Sequence, residues 1–251
     1  MECHYVAVRR HEGDVEERAR RVAEALGLSL YEARPRVQGR GPTLVAVFAD
    51  PAAAATAAAA LAARGIEPVV FGDDEIETDQ RRAVARSFEL GDDALEVTLP
   101  DGLGFAVPFS RVMLVLRGTR LLHEDVTRVV RDVKLSVGKS MAVGLPVFTR
   151  TKTTKTEAKE SRESFCHVYA PDLAVVALRE SALRYDSLGA LKEPTATANF
   201  LRLVEQIRSR CGSARWDDRL CARPGQVQTL GGIRPPEEFL DVAVTLLARV
   251  L

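Results

Sequence analysis

Apolar positions recur at two periods along this chain, and the switches between them predict an α+β protein. Tyr5 to Val8 is a short apolar run of strand character. Val15, Ala19, Val22, Ala23 and Leu26 then fall on one face of a helix that Gly13-Asp14 opens and Gly27 closes. Glu16 and Glu17 occupy the first turn, where the helix dipole favours acids. A short second helix runs from about Leu28 to Arg34 and ends at Pro35. Thr43 to Phe48 is a continuous apolar strand. Asp50-Pro51 is an N-cap followed by proline at the first helical position, opening an Ala-rich helix that stops at Gly65. Alanine has the highest helix propensity and allows close packing on a sheet, so the Ala52–Ala63 run reads as structural. Glu67 to Phe71 is a third strand. Residues 1–72 therefore predict a β-α-α-β-α-β domain.

Three segments of this domain carry a resemblance: Leu26-Gly27-Leu28, then Glu32-Ala33-Arg34, then the helix leading into Ala63-Arg64-Gly65-Ile66-Glu67-Pro68-Val69-Val70. Over about residues 5–71 the chain resembles the C-terminal domain of the bacterial large-subunit ribosomal stalk protein, a fold that Clp-protease adaptors also resemble. This chain has two extra residues between Leu28 and Glu32, and Pro35 stands where the family helix continues. The nearest counterparts of the family's factor-binding lysines are Arg21 and Arg34. Only the fold, one that recurs in docking modules, is carried over.

Beyond this domain both periods lapse. Asp73, Asp74, Glu75, Glu77 and Asp79 fall in a stretch without a base, and 73–81 reads as an acidic linker. Strand signals dominate from 82 to 186. Leu95, Val97 and Leu99 alternate with polar residues, Pro100-Asp101-Gly102 supplies turn chemistry, and Leu103, Phe105, Val107 and Phe109 alternate on the return. Val126, Val129, Val130 and Val133 fit a helix period, whereas the valine density of 123–135 favours strand; strand is the preferred reading. Pro171-Asp172 joins two further strands, Phe165 to Ala170 and Leu173 to Arg179. Phe200, Leu203, Val204 and Ile207 mark an amphipathic helix over Thr195 to Arg210. Strands followed by one helix resemble, in pattern, a pleckstrin-homology-like barrel over 82–212, with a basic insertion at 120–163. Residues 213–251 read as a loop and a C-terminal amphipathic helix from Pro236, carrying Phe239, Leu240, Val244, Leu247 and Leu251 on one face.

The insertion is the chemical anomaly of the sequence. From Val133 to Thr156 it contains no acid and carries Lys134, Lys139, Arg150, Lys152 and Lys155, which are the candidate binding residues. Three readings stay open for it: a structural arm, a protein contact, or a contact with nucleic acid or with an anionic membrane surface, where each basic residue contributes about 1 kcal/mol.

Charge and motifs narrow the function classes. Lys+Arg and Asp+Glu both number 35, so no global field favours nucleic acid, and none is expected as a partner. The charged run Val8–Arg21 stands where a signal peptide needs an apolar segment, which predicts a cytoplasmic protein with reduced thiols. Gly138-Lys139-Ser140 matches the end of a phosphate-binding loop, but Val133 stands where the first glycine belongs, and Gly144 and Pro146 would break the following helix. Cys166-His167 are neighbours on a strand and point to opposite faces, which predicts a buried Cys166 and a half-exposed His167 rather than a dyad. No catalytic set, metal set or cofactor fingerprint is legible. The expectation is a non-catalytic cytoplasmic adaptor or scaffold binding a protein partner. The alternatives are membrane-surface binding through 133–155, or an enzyme using a thiol or the degenerate phosphate loop. A homo-oligomer contact through the C-terminal helix is also open.

Overall fold

The computed structural model describes residues 2–10, 13–39, 41–135 and 148–250, the side chains of 123–135 and 148–160 aside. The protein is α+β. Its N-terminal elements are β1 (His4–Val8), α1 (Val15–Leu26), α2 (Leu30–Arg36), β2 (Thr43–Phe48), α3 (Pro51–Ala62) and β3 (Pro68–Gly72). The caps explain where these helices start. Asp14 accepts from the Glu16 N–H, Asp50 accepts from Ala52 and Ala53, and Ser29 forms a capping box with Glu32. Gly27, at φ 65°, ends α1 in the left-handed region. The second helix is shifted two residues from its expected span and contains Pro35, since the Ser29 box sets its start.

These strands form an antiparallel sheet in the order β2-β1-β3. Alternation along β1 sends Val6 and Val8 into one core with α1, α2 and α3, and Tyr5 and Ala7 into another. That second core is completed by the last helix.

The next elements are β4 (Ala83–Val84), β5 (Ser87–Leu90), β6 (Ala94–Thr98), β7 (Gly104–Pro108), β8 (Leu114–Leu135), β9 (Phe148–Tyr169) and β10 (Val176–Arg179). Then follow α4 (Ala196–Arg210), β11 (Arg215–Leu220), α5 (Arg223–Thr229) and α6 (Pro236–Arg249). β5, β6 and β7 form a meander turning at Gly102, φ 88°. The larger sheet has the order β11-β8-β9-β10-β4, with β11 parallel to β8 and β4 parallel to β10. The segment 213–235, expected as loop, thus carries a strand and a helix. Its strand reads Arg-Trp-Asp-Asp-Arg-Leu, so charge hides its character. Residues 123–135 are strand.

Residues 1–120 and 163–251 form one compact unit, and 121–162 form a second. Within the first, the five-stranded sheet is covered on both faces. Val115, Cys166, Val168 and Leu178 meet Phe200, Leu203 and Ile207 of α4. Leu114, Leu116, Phe165 and Tyr169 meet Val242, Leu246 and Leu247 of α6 together with Tyr5, Leu44 and Phe71 of the N-terminal sheet. Among the described residues, no helix is long and apolar enough to cross a membrane.

Candidate functional site

The basic residues singled out by sequence cannot be built into a site. Lys134 lies on β8, and Arg150, Lys152 and Lys155 lie on β9, with side chains outside the described residues. Lys139, with the whole Gly138-Lys139-Ser140 motif, also lies outside them.

Cys166 and His167 do point to opposite faces of β9, but the expected half-exposure of His167 is corrected: only 2 % of it is accessible. A sheet with one solvent face would expose it, and here α6 and the acidic segment cover that face. Neither ring nitrogen of His167 has a hydrogen-bond partner, and the ring lies 4.7 Å from that of Phe165. Burial, aided by Arg82 and Arg120, pushes its pKa well below that of an ordinary histidine. Burial pushes the Cys166 thiol up to about 12, so it is no ready nucleophile. Among the described residues, no group of three or more His, Cys, Asp or Glu could hold a metal ion.

Two charged centres emerge instead. One lies on the α6-facing side of the large sheet. Arg82 donates to Asp241 of α6 at 2.7 Å and to the Glu77 carbonyl. Arg120 donates to Glu163, which also accepts from Ser181. Arg179 pairs across the strands with Phe165, so it shares a face with Glu163 and His167. The acidic segment is tied into this centre. Asp73 accepts from Tyr5 at 2.8 Å, Glu77 accepts from Tyr169 at 2.8 Å, and Asp79 contacts Arg82, Arg120 and Arg179.

The other centre is a cleft of about 820 Å³ lined by Arg9, Arg10, Arg215 and Arg219, with Glu67, Gln228, Gly39, Gly41 and Pro42 also among its lining. Arg9 and Arg10 follow the end of β1, and Arg215 and Arg219 belong to β11. Three side chains donate to carbonyls there: Gln228 to Gln38 at 2.7 Å, Arg18 to Gly39 at 2.7 Å, and Arg219 to Gly41. Gly41, at φ 74°, sits where a side chain would be strained, and a Cβ there would lie a tight 3.0 Å from the Arg9 carbonyl. Arg9 pairs with Glu67 at 3.1 Å, and Arg219 pairs with Asp217. Arg10 and Arg215 have no acidic partner among the described residues. A smaller hollow of about 290 Å³ shares Arg10 and Glu67 and adds Arg18 and Arg21. The cleft wall therefore carries positive charge in excess.

Sequence reasoning missed this cleft because its two arginine pairs lie far apart in the chain. They meet only because β11 adds to β8, and nothing in the charged hexapeptide signals that pairing. The sole local hint is the Gly39-to-Pro42 turn chemistry. No protein-family model, curated protein or solved structure matches the chain.

Proposed function

We propose that this protein is a non-catalytic cytoplasmic adaptor, and that the arginine-lined cleft takes an acidic segment of a protein partner. The observation that carries this reading is that Arg10 and Arg215 both line the cleft and neither has an acidic partner among the described residues. Guanidinium presents a planar fork of donors that matches carboxylates in two-point contacts. The cleft volume falls within the range of ligand-binding clefts, about 300–1,000 Å³. Among the described residues its lining offers arginine, glycine and amide groups but no aromatic ring on which a base could stack, which favours a peptide over a single-stranded nucleic acid. Glu67 and the Asp217 behind Arg219 also oppose a densely phosphorylated chain.

Fluorescence anisotropy with a labelled polyglutamate peptide tests this. Wild type should bind, more weakly as salt rises, and R10E/R215E should lose about tenfold or more in affinity, equivalent to about 1.4 kcal/mol. Absence of binding, or equal binding by both proteins, would remove the reading. Tighter binding of a single-stranded oligonucleotide would reassign the cleft to nucleic acid.

The basic hairpin supports a second proposal. β8 and β9 are neighbouring strands of 22 residues each, and Lys134, Arg150, Lys152 and Lys155 are placed along them. Contact with an anionic membrane predicts that K152E/K155E releases the protein from phosphatidylserine vesicles at low salt. Equal sedimentation of both proteins would dispose of it.

A further inference from the structure

The charged centre on the α6-facing side of the large sheet has a feature that a network of one-to-one ion pairs lacks: one carboxylate serves three guanidinium groups. Asp79 lies 3.4 Å from Arg82, 3.4 Å from Arg120, and in direct contact with Arg179. The arginines come from the fold itself. Arg179 ends β10, Arg120 lies on β8, and Arg82 precedes β4. Arg82 and Arg179 side chains are only 1 % and 6 % exposed. Asp79 comes from a turn, and its side chain is 44 % exposed, so the carboxylate site opens to solvent.

The same centre holds more buried donors than acceptors. Nε of Arg82 and Nε and Nη1 of Arg179 are donors without hydrogen-bond partners, and both ring nitrogens of the neutral His167, one a donor and one an acceptor, lack them too. Buried polar groups are nearly always partnered, and an uneven cluster of donors marks a place suited to an acceptor-rich group. We propose that Arg82, Arg120 and Arg179 form a binding site for the carboxylate of a small-molecule ligand, and that Asp79 is a built-in occupant which the ligand displaces. This site is separate from the arginine-lined cleft and does not depend on its reading.

Charge selects the class of ligand. Glu163 stays on Arg120 and faces Arg179 at 3.8 Å, while Asp241 and Glu77 stay beside Arg82. Exchange of Asp79 for another singly charged carboxylate conserves the local balance, whereas a phosphate dianion would add charge opposite those three acids. The exchange also requires little movement. The Glu77 N–H is held by Thr245 Oγ1 at 2.9 Å and Arg82 is held by Asp241, so only the turn from Thr78 to Arg81 must shift.

Two measurements test the proposal, with acetate as probe against chloride at equal ionic strength. First, D79A should melt higher in acetate, by about 3–6 °C at roughly ten times the dissociation constant. D79A/R179Q should gain nothing, and phosphate should help D79A less than acetate. Second, amide exchange in wild type over Thr78–Arg81 should speed up as acetate is added, because the turn is released when Asp79 is displaced. If D79A gains no acetate-specific shift, the arginines do not form a carboxylate site. If acetate leaves wild-type exchange unchanged, Asp79 is a fixed strut, and the proposal also fails. Should D79A fold only in acetate, that counts as the expected rescue. Should it fold in neither salt, the wild-type exchange result decides.

Discussion

The Tyr169 hydroxyl donates to the Glu77 carboxylate at 2.8 Å, joining the end of β9 to the acidic segment 92 residues earlier in the chain. Burial raises the Glu77 pKa above that of an ordinary carboxylate, and the Tyr169 bond and Arg82 pull it partly back. A carboxyl whose folded pKa is raised adds stability below its unfolded pKa, and that contribution is lost as pH rises through the folded value. Y169F removes the compensating donor and leaves a buried charge less satisfied at neutral pH. The expected cost is about 1–3 kcal/mol at pH 7, and less at pH 5, because the protonated fraction of Glu77 grows as pH falls. Urea midpoints of wild type and Y169F at the two pH values check this; equal losses at both would contradict it.

His167 works with the opposite sign. Its folded pKa is depressed, so its contribution is complete above the unfolded value of about 6.5 and is lost as pH falls below that toward the folded pKa. The neutral ring must gain a proton on unfolding in acid, which favours the unfolded chain. H167L should lose less stability than wild type on acidification, by up to about 1.4 kcal/mol per pH unit below 6.5. Parallel stability curves between pH 7 and pH 5 would count against it.

The four thiols divide by access. Cys166 and Cys211 are buried, Cys3 and Cys221 are partly exposed, and burial pushes Cys211 up to about 11 and Cys166 up to about 12. Timed alkylation followed by peptide mapping should label Cys3 and Cys221 in the native protein, and Cys166 and Cys211 only with unfolding. Rapid native labelling of Cys166 would revive a nucleophilic role for that thiol.

Gly118 marks where β8 passes closest to its neighbours. A Cβ there would lie 2.3 Å from the Phe165 ring and 2.9 Å from Leu220 Cβ, in a core shared with α6. G118A should cost about 1–3 kcal/mol through overpacking. The companion F165L should soften the effect, because the clash is chiefly with the ring. A thermal denaturation cycle of the two single variants and the double variant reads the coupling, and strict additivity would place the cost elsewhere.

Local signals in the sequence translated well into elements. Asp14, Gly27 and Asp50-Pro51 act within a few residues of themselves, and each caps the helix it was expected to cap or close. Alternation along β9 correctly separated Cys166 from His167, but periodicity reports faces and not what covers them. The burial of His167 depends on α6, some seventy residues later in the chain. The acidic segment read as a linker because its partners, Tyr5, Tyr169 and three arginines, are all distant in sequence. The arginine-lined cleft was hidden for the same reason, since β11 is too charged to read as a strand and its pairing with β8 is parallel and non-local.

The core shared by Tyr5, Leu44 and Phe71 with Val242, Leu246 and Leu247 orders events during synthesis. When a ribosome has made residue 72, every strand of the N-terminal sheet exists, yet one of its faces has nothing to rest on. At about 5–20 residues per second, α6 follows only after roughly 10–30 seconds. Throughout that interval the sheet lacks its cover from α6, so completion of this core waits on a helix that begins more than 160 residues after the sheet ends.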